Sequence, residues 1–327
     1  MLFSIVIPAY NCSTYLGGCV SSVLSQGFVD YEIILVDDGS NDGTAGLCDE
    51  LVEYGRVKVI HETNSGASHA RNTGMVAASG EYIVFLDSDD EFADGYLEGL
   101  SRQLEATCFD VLLGSVRTDF GEGVDERDVK LFDADYANTK DLKGLVRYFF
   151  TSADDAPFAA WHNVYSRRFL EREGLRFDEG LIWSEDRDFI LRVLRAAPSW
   201  RCVAVPGYRH RVEVKGSVTS VASADKILRA MDCDEKWLKT SRDNDLLSCA
   251  QPFLAGDLID LTMSALELPK GEASEVMEHA KSLQALFAPA VGGLVYGWLL
   301  RHDAPPCLLR VVGKIVAKLT MLYRKRC

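Results

Sequence analysis

Along the first third of the chain, apolar positions fall into unbroken runs separated by stretches of helical periodicity. LFSIVIPAY, YEIILVDDGS, VKVIHE and EYIVFLD read as strands. CVSSVLSQGF, with Gly27 beyond its end, TAGLCDELVEYG and SHARNTGMVAASG read as helices. Strands without polar alternation are covered on both faces, and regular exchange with helices makes them parallel. The pattern predicts an α/β fold, a Rossmann-type, mostly parallel sheet flanked by helices. In such sheets ligands bind outside the carboxyl ends of the strands.

Beyond about residue 221 the periodicity becomes helical throughout. ADKILRAMDCDEKWLKTS, LAGDLIDLTMSALEL and ASEVMEHAKSLQALF form three helices, the last two parted at Leu268-Pro269-Lys270-Gly271. The reading therefore divides the chain into a sheet domain, 1–220, and a helical C-terminal region, 221–327. In the closing LLRVVGKIVAKLTMLYRKR, Leu308, Val311, Val312, Ile315, Leu319 and Leu322 follow helical spacing, while Arg310, Lys314 and Lys318 share another face. A basic amphipathic helix of this kind either lies in an anionic membrane interface, which would put residues 308–326 on the inner face of the cell membrane, or docks on the protein's own core.

Composition narrows the class. The chain has 327 residues, 47% hydrophobic and 26% charged, which is ordinary for a globular protein with a large domain and a smaller one. A net charge of -14 leaves no surplus of Lys and Arg to displace counterions from a phosphate backbone, which argues against nucleic acid as a partner. The charge is uneven, since from Arg301 onward seven Lys and Arg face Asp303 alone. The chain has no run of about 18 or more uncharged apolar residues, as a bilayer-spanning helix would need. Nine cysteines without a CxxC pair, an odd count and no secretory leader point to reduced thiols in a cytoplasmic protein.

The candidate chemistry lies at three strand ends: Pro8-Ala9-Tyr10-Asn11, Val36-Asp37-Asp38-Gly39-Ser40 and Asp87-Ser88-Asp89-Asp90. A single acid after a strand is commonly a helix cap or turn former. Five carboxylates over two strand ends on one edge repel one another unless a cation or a hydrogen-bonding ligand offsets them. Asp-x-Asp faces two hard oxygen donors to one side of an extended segment. That suits Mg2+ or Mn2+ held jointly with substrate phosphates.

In order and spacing, SIVIPAYN, VDDGSNDGT, NSGASHARNTGM and FLDSDD resemble the family 2 glycosyltransferases of GT-A fold, of bacterial surface-polysaccharide type. A looser likeness continues through AAWHNVYSRRFLEREGLRF, IWSEDRDF and YRHR to about residue 220. The resemblance implies an inverting, divalent-metal-dependent transfer of a sugar from a nucleotide-diphosphate donor, a UDP-sugar, to a hydroxyl of a glycan or lipid-linked glycan acceptor. It implies that Pro8, Ala9 and Tyr10 line the nucleotide, that Asp38 hydrogen-bonds the base, and that Arg71 reaches the diphosphate or base. It puts Asp87, with Ser88, on the ribose and Asp89 on the Mn2+ or Mg2+ ion. Asp186 corresponds to the general base, with Trp183 and Glu185 on the acceptor side. Tyr208-Arg209-His210-Arg211 resembles a flexible loop closing over the diphosphate, with Arg211 on phosphate and Gly216 as a hinge.

The helix-start reading of SEDRDF, with Ser184 as cap and acids in the first turn, stands beside the catalytic one. One departure is Trp161-His162-Asn163, where relatives often carry Trp-Asn-Lys, so no role passes to a lysine there. Two other classes compete. A sugar-1-phosphate nucleotidyltransferase would carry a Gly-rich phosphate loop with basic residues, which PAYNCSTYLGG lacks. A non-catalytic nucleotide-sugar binding protein would have no need of both Asp89 and Asp186.

Overall fold

A computed structural model describes residues 1–105, 107–152, 158–181, 184–212, 223–242, 248–287, 296, 299 and 306–324. The chain forms two compact units. The first comprises Met1–Thr139, Asp155–Gly180 and Glu185–Lys215, and the second Lys140–Asp154, Leu181–Ser184 and Gly216–Cys327.

The first unit opens with the predicted alternation: β1 (Phe3–Ala9), α1 (Ser13–Leu24), β2 (Tyr31–Asp38), α2 (Thr44–Leu51), β3 (Val57–Glu62), α3 (Ala67–Ala77) and β4 (Tyr82–Phe85). After it come β5 (Glu91–Phe92), α4 (Tyr96–Glu105), β6 (Val111–Gly114), β7 (Val116–Gly121), β8 (Val124–Lys130) and α5 (Ala134–Asn138). Helix α6 (Leu142–Ser152) belongs to the second unit, and β9 (Asn163–Ser166), α7 (Arg167–Arg172), α8 (Glu185–Ala196), β10 (Trp200–Val203) and β11 (Tyr208–Arg211) complete the first.

The main sheet runs β10-β6-β9-β4-β1-β2-β3. All its pairings are parallel except those of β9, which inserts antiparallel between β4 and β6. Ile5, Val6, Ile7, Ile33, Ile34, Leu35, Val84 and Phe85 are all buried, as strands covered on both faces must be. A second sheet, β5-β11-β7-β8, is smaller. Its β8, VDERDVK, is mostly exposed and carries no apolar run that would announce a strand.

The second unit holds α6, α9 (Ala224–Arg242), α10 (Gln251–Ala265), α11 (Lys270–Leu283) and α12 (Pro306–Arg324). These match the helical periodicity read from the sequence, and α6, which that reading left with the sheet, joins them. Phe150 of α6 meets Phe253 of α10 edge-on at 5.0 Å between ring centroids.

The amino ends of the central strands are locked by one buried carboxylate. Glu32, 3% exposed at the start of β2, accepts from Ser4 Oγ at 2.7 Å, Ser79 N at 2.7 Å and Ser79 Oγ at 2.6 Å, and pairs with Lys58. Burial pushes its pKa up, but Lys58, Ser79 and Ser4 outweigh burial and bring it to about 2, against an ordinary 4.5. A carboxyl depressed on folding stabilises the native state above its unfolded pKa and loses that contribution as pH falls. Glu32→Gln is therefore expected to lower the unfolding free energy by about 3 kcal/mol at pH 7. The gap between variant and parent should close between about pH 4.5 and pH 2. Urea unfolding at a series of pH values measures both, and a gap independent of pH would contradict the assignment.

Candidate functional site

The carboxyl ends of β1, β2 and β4 lie side by side, with Ala9 opposite Asp37 in register and Leu86 N bonded to Val6 O at 3.0 Å. The loops beyond them are cross-braced. Asn11 N donates to Ser40 Oγ at 3.0 Å, Asn41 N to Asn11 Oδ1 at 2.8 Å, and Asp42 accepts from Ser13 and Thr44. Asp37 accepts from Ser40 N at 3.1 Å and pairs with His61 at 2.8 Å. Asp38, 3% exposed, accepts the backbone N–H groups of Ser65 at 2.6 Å and Gly66 at 2.8 Å, which fixes its carboxylate plane at the entrance to α3. Gly39, directly after these two acids, has φ +70°, and a Cβ there would come within 2.6 Å of Asn64 N, so only glycine fits the turn.

At the end of β4 the acids divide their work. Asp90, 1% exposed, accepts from Tyr208 Oη at 2.7 Å and Arg211 N at 2.7 Å, with His210 Nδ1 at 3.4 Å. It thereby ties the acidic tip to β11. Tyr208 and His210 in turn stack on Trp161, with centroids at 4.4 and 5.2 Å. Arg211 donates from Nε to the Asp89 carbonyl at 2.8 Å and from Nη2 to Glu91 Oε1 at 2.7 Å, and its guanidinium lies over Phe120. Burial, then Asp90 and Asp87, push the Asp89 pKa up to about 7.

The densest charge in the unit surrounds Arg71 of α3, whose side chain is 7% exposed. Its Nη2 lies 3.0 Å from Asp87 Oδ1, and its Nη1 3.4 Å from both Glu185 Oε1 and Asp186 Oδ1. The guanidinium also covers Phe177 at 5.3 Å. Asp186 Oδ2 accepts from Ala160 N at 3.1 Å, while among the described residues its Oδ1 has no hydrogen-bond donor despite the nearby cation. Burial raises the Asp186 pKa, and Arg71 opposes the rise. Burial and the Asp186 charge push Glu185 up to about 7, again against Arg71. For Arg71 itself burial opposes the charge, but Asp186, Asp87 and Glu185 outweigh it and raise its pKa further. Three carboxyls and one guanidinium thus share one small volume, in which burial favours proton uptake by Glu185 and Asp186 and Arg71 favours their ionised forms. A carboxylate of raised basicity beside a fixed cation suits a general base.

The expected residues fall out as follows. Asp87, Arg71, Glu185 and Asp186 form one cluster, Asp89 and Ser88 continue directly from it, and Arg211 braces the Asp89 backbone. Pro8 and Ala9 end β1, and Tyr10 is 45% exposed beyond them. Arg71, expected on the nucleotide, spends its guanidinium on carboxylates. The Tyr208–Arg211 segment, expected as a flexible loop, is strand β11, because Asp90 and its ladder bonds to β5 and β7 hold it. Trp183 and Gly216 lie outside the described residues. Ser184 has φ +65°, unlike the extended backbone of a usual N-cap. His162 is buried, neither ring nitrogen has a hydrogen-bond partner among the described residues, and burial, with Arg117 nearby, pushes it down to about 3, so it is a neutral core side chain.

Three residues of this region show little of their task in the sequence. Asp90 reads there as one more acid of the strand end. Trp161 stands out only by its neighbours. Asn72 holds the 177–179 segment on α3 by donating to Phe177 O and accepting from Phe177 N, at 3.0 and 2.8 Å. Its only signal was its place directly after Arg71.

Among the described residues, the trio whose ligand atoms converge within 4.8 Å is not at the strand ends but in the second unit: Asp232, Glu235 and His279. There His279 Nε2 pairs with Asp232 at 3.1 Å and Lys239 pairs with Glu235, so the trio reads as an ion-pair network. The strand-end acids do not form a closed cage. A site for Mg2+ or Mn2+ shared with phosphates needs only one or two carboxylates, and the raised Asp89, with negative neighbours and hard oxygens, fits one. An open groove of about 720 Å³ lies along α3 against residues 176–180, lined by His69, Asn72, Arg176 and Glu179, and reaches none of Asp87, Asp89 or Asp186.

Residues 4–187 match the family described as Glycosyl transferase family 2. Among curated relatives, the Uncharacterized glycosyltransferase EpsJ of Bacillus subtilis is 33% identical over 60% of this chain and 57% of its own length. Glycosyltransferase GlyA of Streptococcus pneumoniae is 32% identical over 85% of this chain and 39% of its own. The Succinoglycan biosynthesis protein ExoO of Rhizobium meliloti is 31% identical over 72% and 67%. The chain thus spans 57% and 39% of the lengths of EpsJ and GlyA. The crystal structure of S. aureus TarS 1-349 in complex with UDP-GlcNAc superposes with a TM-score of 0.67 at 19% identity, covering 100% of this chain and 92% of that one. It shares the mostly parallel sheet flanked by helices.

If Arg71 is the counter-charge of the cluster, Arg71→Met should destabilise the protein by about 2–3 kcal/mol at pH 8, short of a fully buried pair because the carboxylates keep some solvent contact. Without the cation their pKa values rise further and they take up protons on folding, so the loss should shrink as pH falls toward 4. Urea unfolding at the two pH values tests this. An equal loss at both would leave Arg71 a packing role on Phe177 alone.

Proposed function

The chain belongs to glycosyl transferase family 2, and on that premise we propose that it moves a sugar from a UDP-sugar to a hydroxyl of a glycan or lipid-linked glycan acceptor, with inversion at the anomeric carbon. The observation that carries this reading is the meeting of Asp87 from the strand end with Glu185 and Asp186 from the start of α8 on one buried Arg71. Donor-side and base-side carboxylates are thereby held in a single rigid group. The setting proposed is assembly of a cell-surface polysaccharide at the cytoplasmic face of the membrane. The kinship with ExoO supports the polysaccharide, and the fold shared with TarS, described with UDP-GlcNAc, supports the donor class. Among the described residues no helix is long and apolar enough to cross a membrane.

In the reaction the acceptor oxygen attacks the anomeric carbon opposite the diphosphate. A carbon–oxygen bond to the acceptor forms as the one to the leaving phosphate breaks, and the hydroxyl proton passes to Asp186. The raised pKa of Asp186 improves it as a base, and Arg71 keeps enough of it ionised to act. Asp87 and Ser88 bind the ribose, while Pro8, Ala9 and Tyr10 line the base and Asp38 accepts its imide N–H. Asp89 would hold Mg2+ or Mn2+, which supplies neutralisation of the leaving diphosphate when bound. Arg211 positions the Asp89 backbone and adds positive charge beside it. Glu185, and Trp183 by its place in the chain, serve the acceptor side.

Asp186→Asn keeps the shape of the side chain and removes its basicity. Transfer should fall by roughly 10²-fold or more while affinity for UDP persists. Assays of turnover and calorimetric titration with UDP measure the two separately, and turnover near that of the parent would move the base elsewhere. In the parent, turnover should rise with pH through a midpoint above the ordinary aspartate range, because the ionised base is the active form and its pKa is raised. Asp89→Asn should abolish the part of UDP affinity that depends on Mn2+; calorimetry showing the same metal dependence in both proteins would remove Asp89 from the metal.

A further inference from the structure

Helix α12 has two apolar faces. One is docked: Leu309 and Val316 are each 2% exposed, and a Cβ on Gly313 would come within 2.0 Å of Met263 Sδ on α10. Arg310, exposed at the edge of this face, donates from Nη2 to Leu266 O at 2.8 Å, beyond the last turn of α10. The second apolar face is bare. Leu308, Val311 and Ile315 are 42%, 56% and 53% exposed, and their spacing at i, i+3 and i+7 puts them in one stripe. No other helix among the described residues exposes three large apolar side chains.

The charge beside the stripe identifies what covers it. With the docked face turned inward, the outward arc carries the stripe on one side and the exposed Arg310 and Lys314 on the other. The helix contains no Asp or Glu, in a chain whose net charge is -14. A protein partner for an apolar stripe needs no such segregation of positive charge. An anionic bilayer surface attracts the basic flank and receives the stripe at the boundary of headgroups and acyl chains. At 19 residues with basic side chains spread along it, the helix is not apolar enough to cross a membrane.

We propose that the Leu308–Val311–Ile315 stripe of α12, flanked by Arg310 and Lys314, docks the protein on an anionic lipid surface while the opposite face stays packed on α10. This goes beyond the transfer reading and does not rest on it. The sequence left the tail either on a membrane or on the core; the two faces of α12 allow both at once.

The test uses the full chain, vesicles of phosphatidylcholine with or without about one third phosphatidylglycerol, and neither donor nor acceptor. The parent should sediment with the anionic vesicles, stay in solution with the neutral ones, and be released by 0.5 M salt, a concentration chosen to shorten screening to about 4 Å. Val311→Ser with Ile315→Ser, and separately Lys314→Glu, should each weaken binding by about tenfold or more. Because these side chains are exposed, circular dichroism and thermal midpoint should match the parent. Failure to sediment with anionic vesicles would overturn the proposal. So would undiminished binding by the double variant, or a self-association that the same two serines abolish in the absence of lipid, which would make the stripe an interface between copies.

Discussion

A single guanidinium sets the terms of this site. Arg71 is nearly excluded from water and faces Asp87, Glu185 and Asp186 at 3.0, 3.4 and 3.4 Å. Without it, three carboxylates brought together by the end of β4 and the start of α8 would repel one another and take up protons. With it, they share a volume in which burial still raises Asp186 and Glu185 above ordinary acids. The position of Arg71 rests in turn on the packing of α3 against the sheet. Gly74 lies so close to β1 that a Cβ there would meet Val6 Cγ1 at 2.3 Å. Helix, strand and charge cluster therefore depend on one close approach.

The acidic tip after β4 is held by a different device. Asp90 is buried and fully engaged, with Tyr208, His210 and the Arg211 backbone as partners. Its negative charge is one reason that its neighbour Asp89 titrates near 7. One acid is used for structure, and the next is left basic. The Trp161 stack on Tyr208 and His210 completes the support from β9's side of the sheet. On the reading proposed above, Asp89 would hold a divalent cation, which would supply counter-charge to such a tip.

Much of this was legible in the sequence, for identifiable reasons. Strands β1 to β4 are covered on both faces, so their apolar runs are unbroken and mark both the strands and the acids that terminate them. The helices of the second unit carry clear periodicity. The second sheet was hidden because its strands are short or polar: VDERDVK offers no apolar run, and YRHR looks like a solvated basic loop until Asp90 and the flanking strands are seen to hold it. The ion-pair partners of Arg71 are invisible in the sequence because spacing along a chain cannot show that α8, more than a hundred residues on, returns its first two acids to the same guanidinium. Asp90 and Asn72 were passed over for the same reason, since their partners at 208–211 and at 177 are distant in sequence.

The central claim is that Asp87 and Asp186 act on each other through Arg71. A double-mutant cycle of Asp87→Asn and Asp186→Asn, read as unfolding free energy in urea and repeated in an Arg71→Met background, isolates that coupling. With Arg71 present, the two substitutions should depart from additivity by about 1 kcal/mol or more, and the departure should change markedly once the shared cation is gone. Additivity within about 0.5 kcal/mol in both backgrounds would contradict the account, leaving the three carboxylates as neighbours that do not act together.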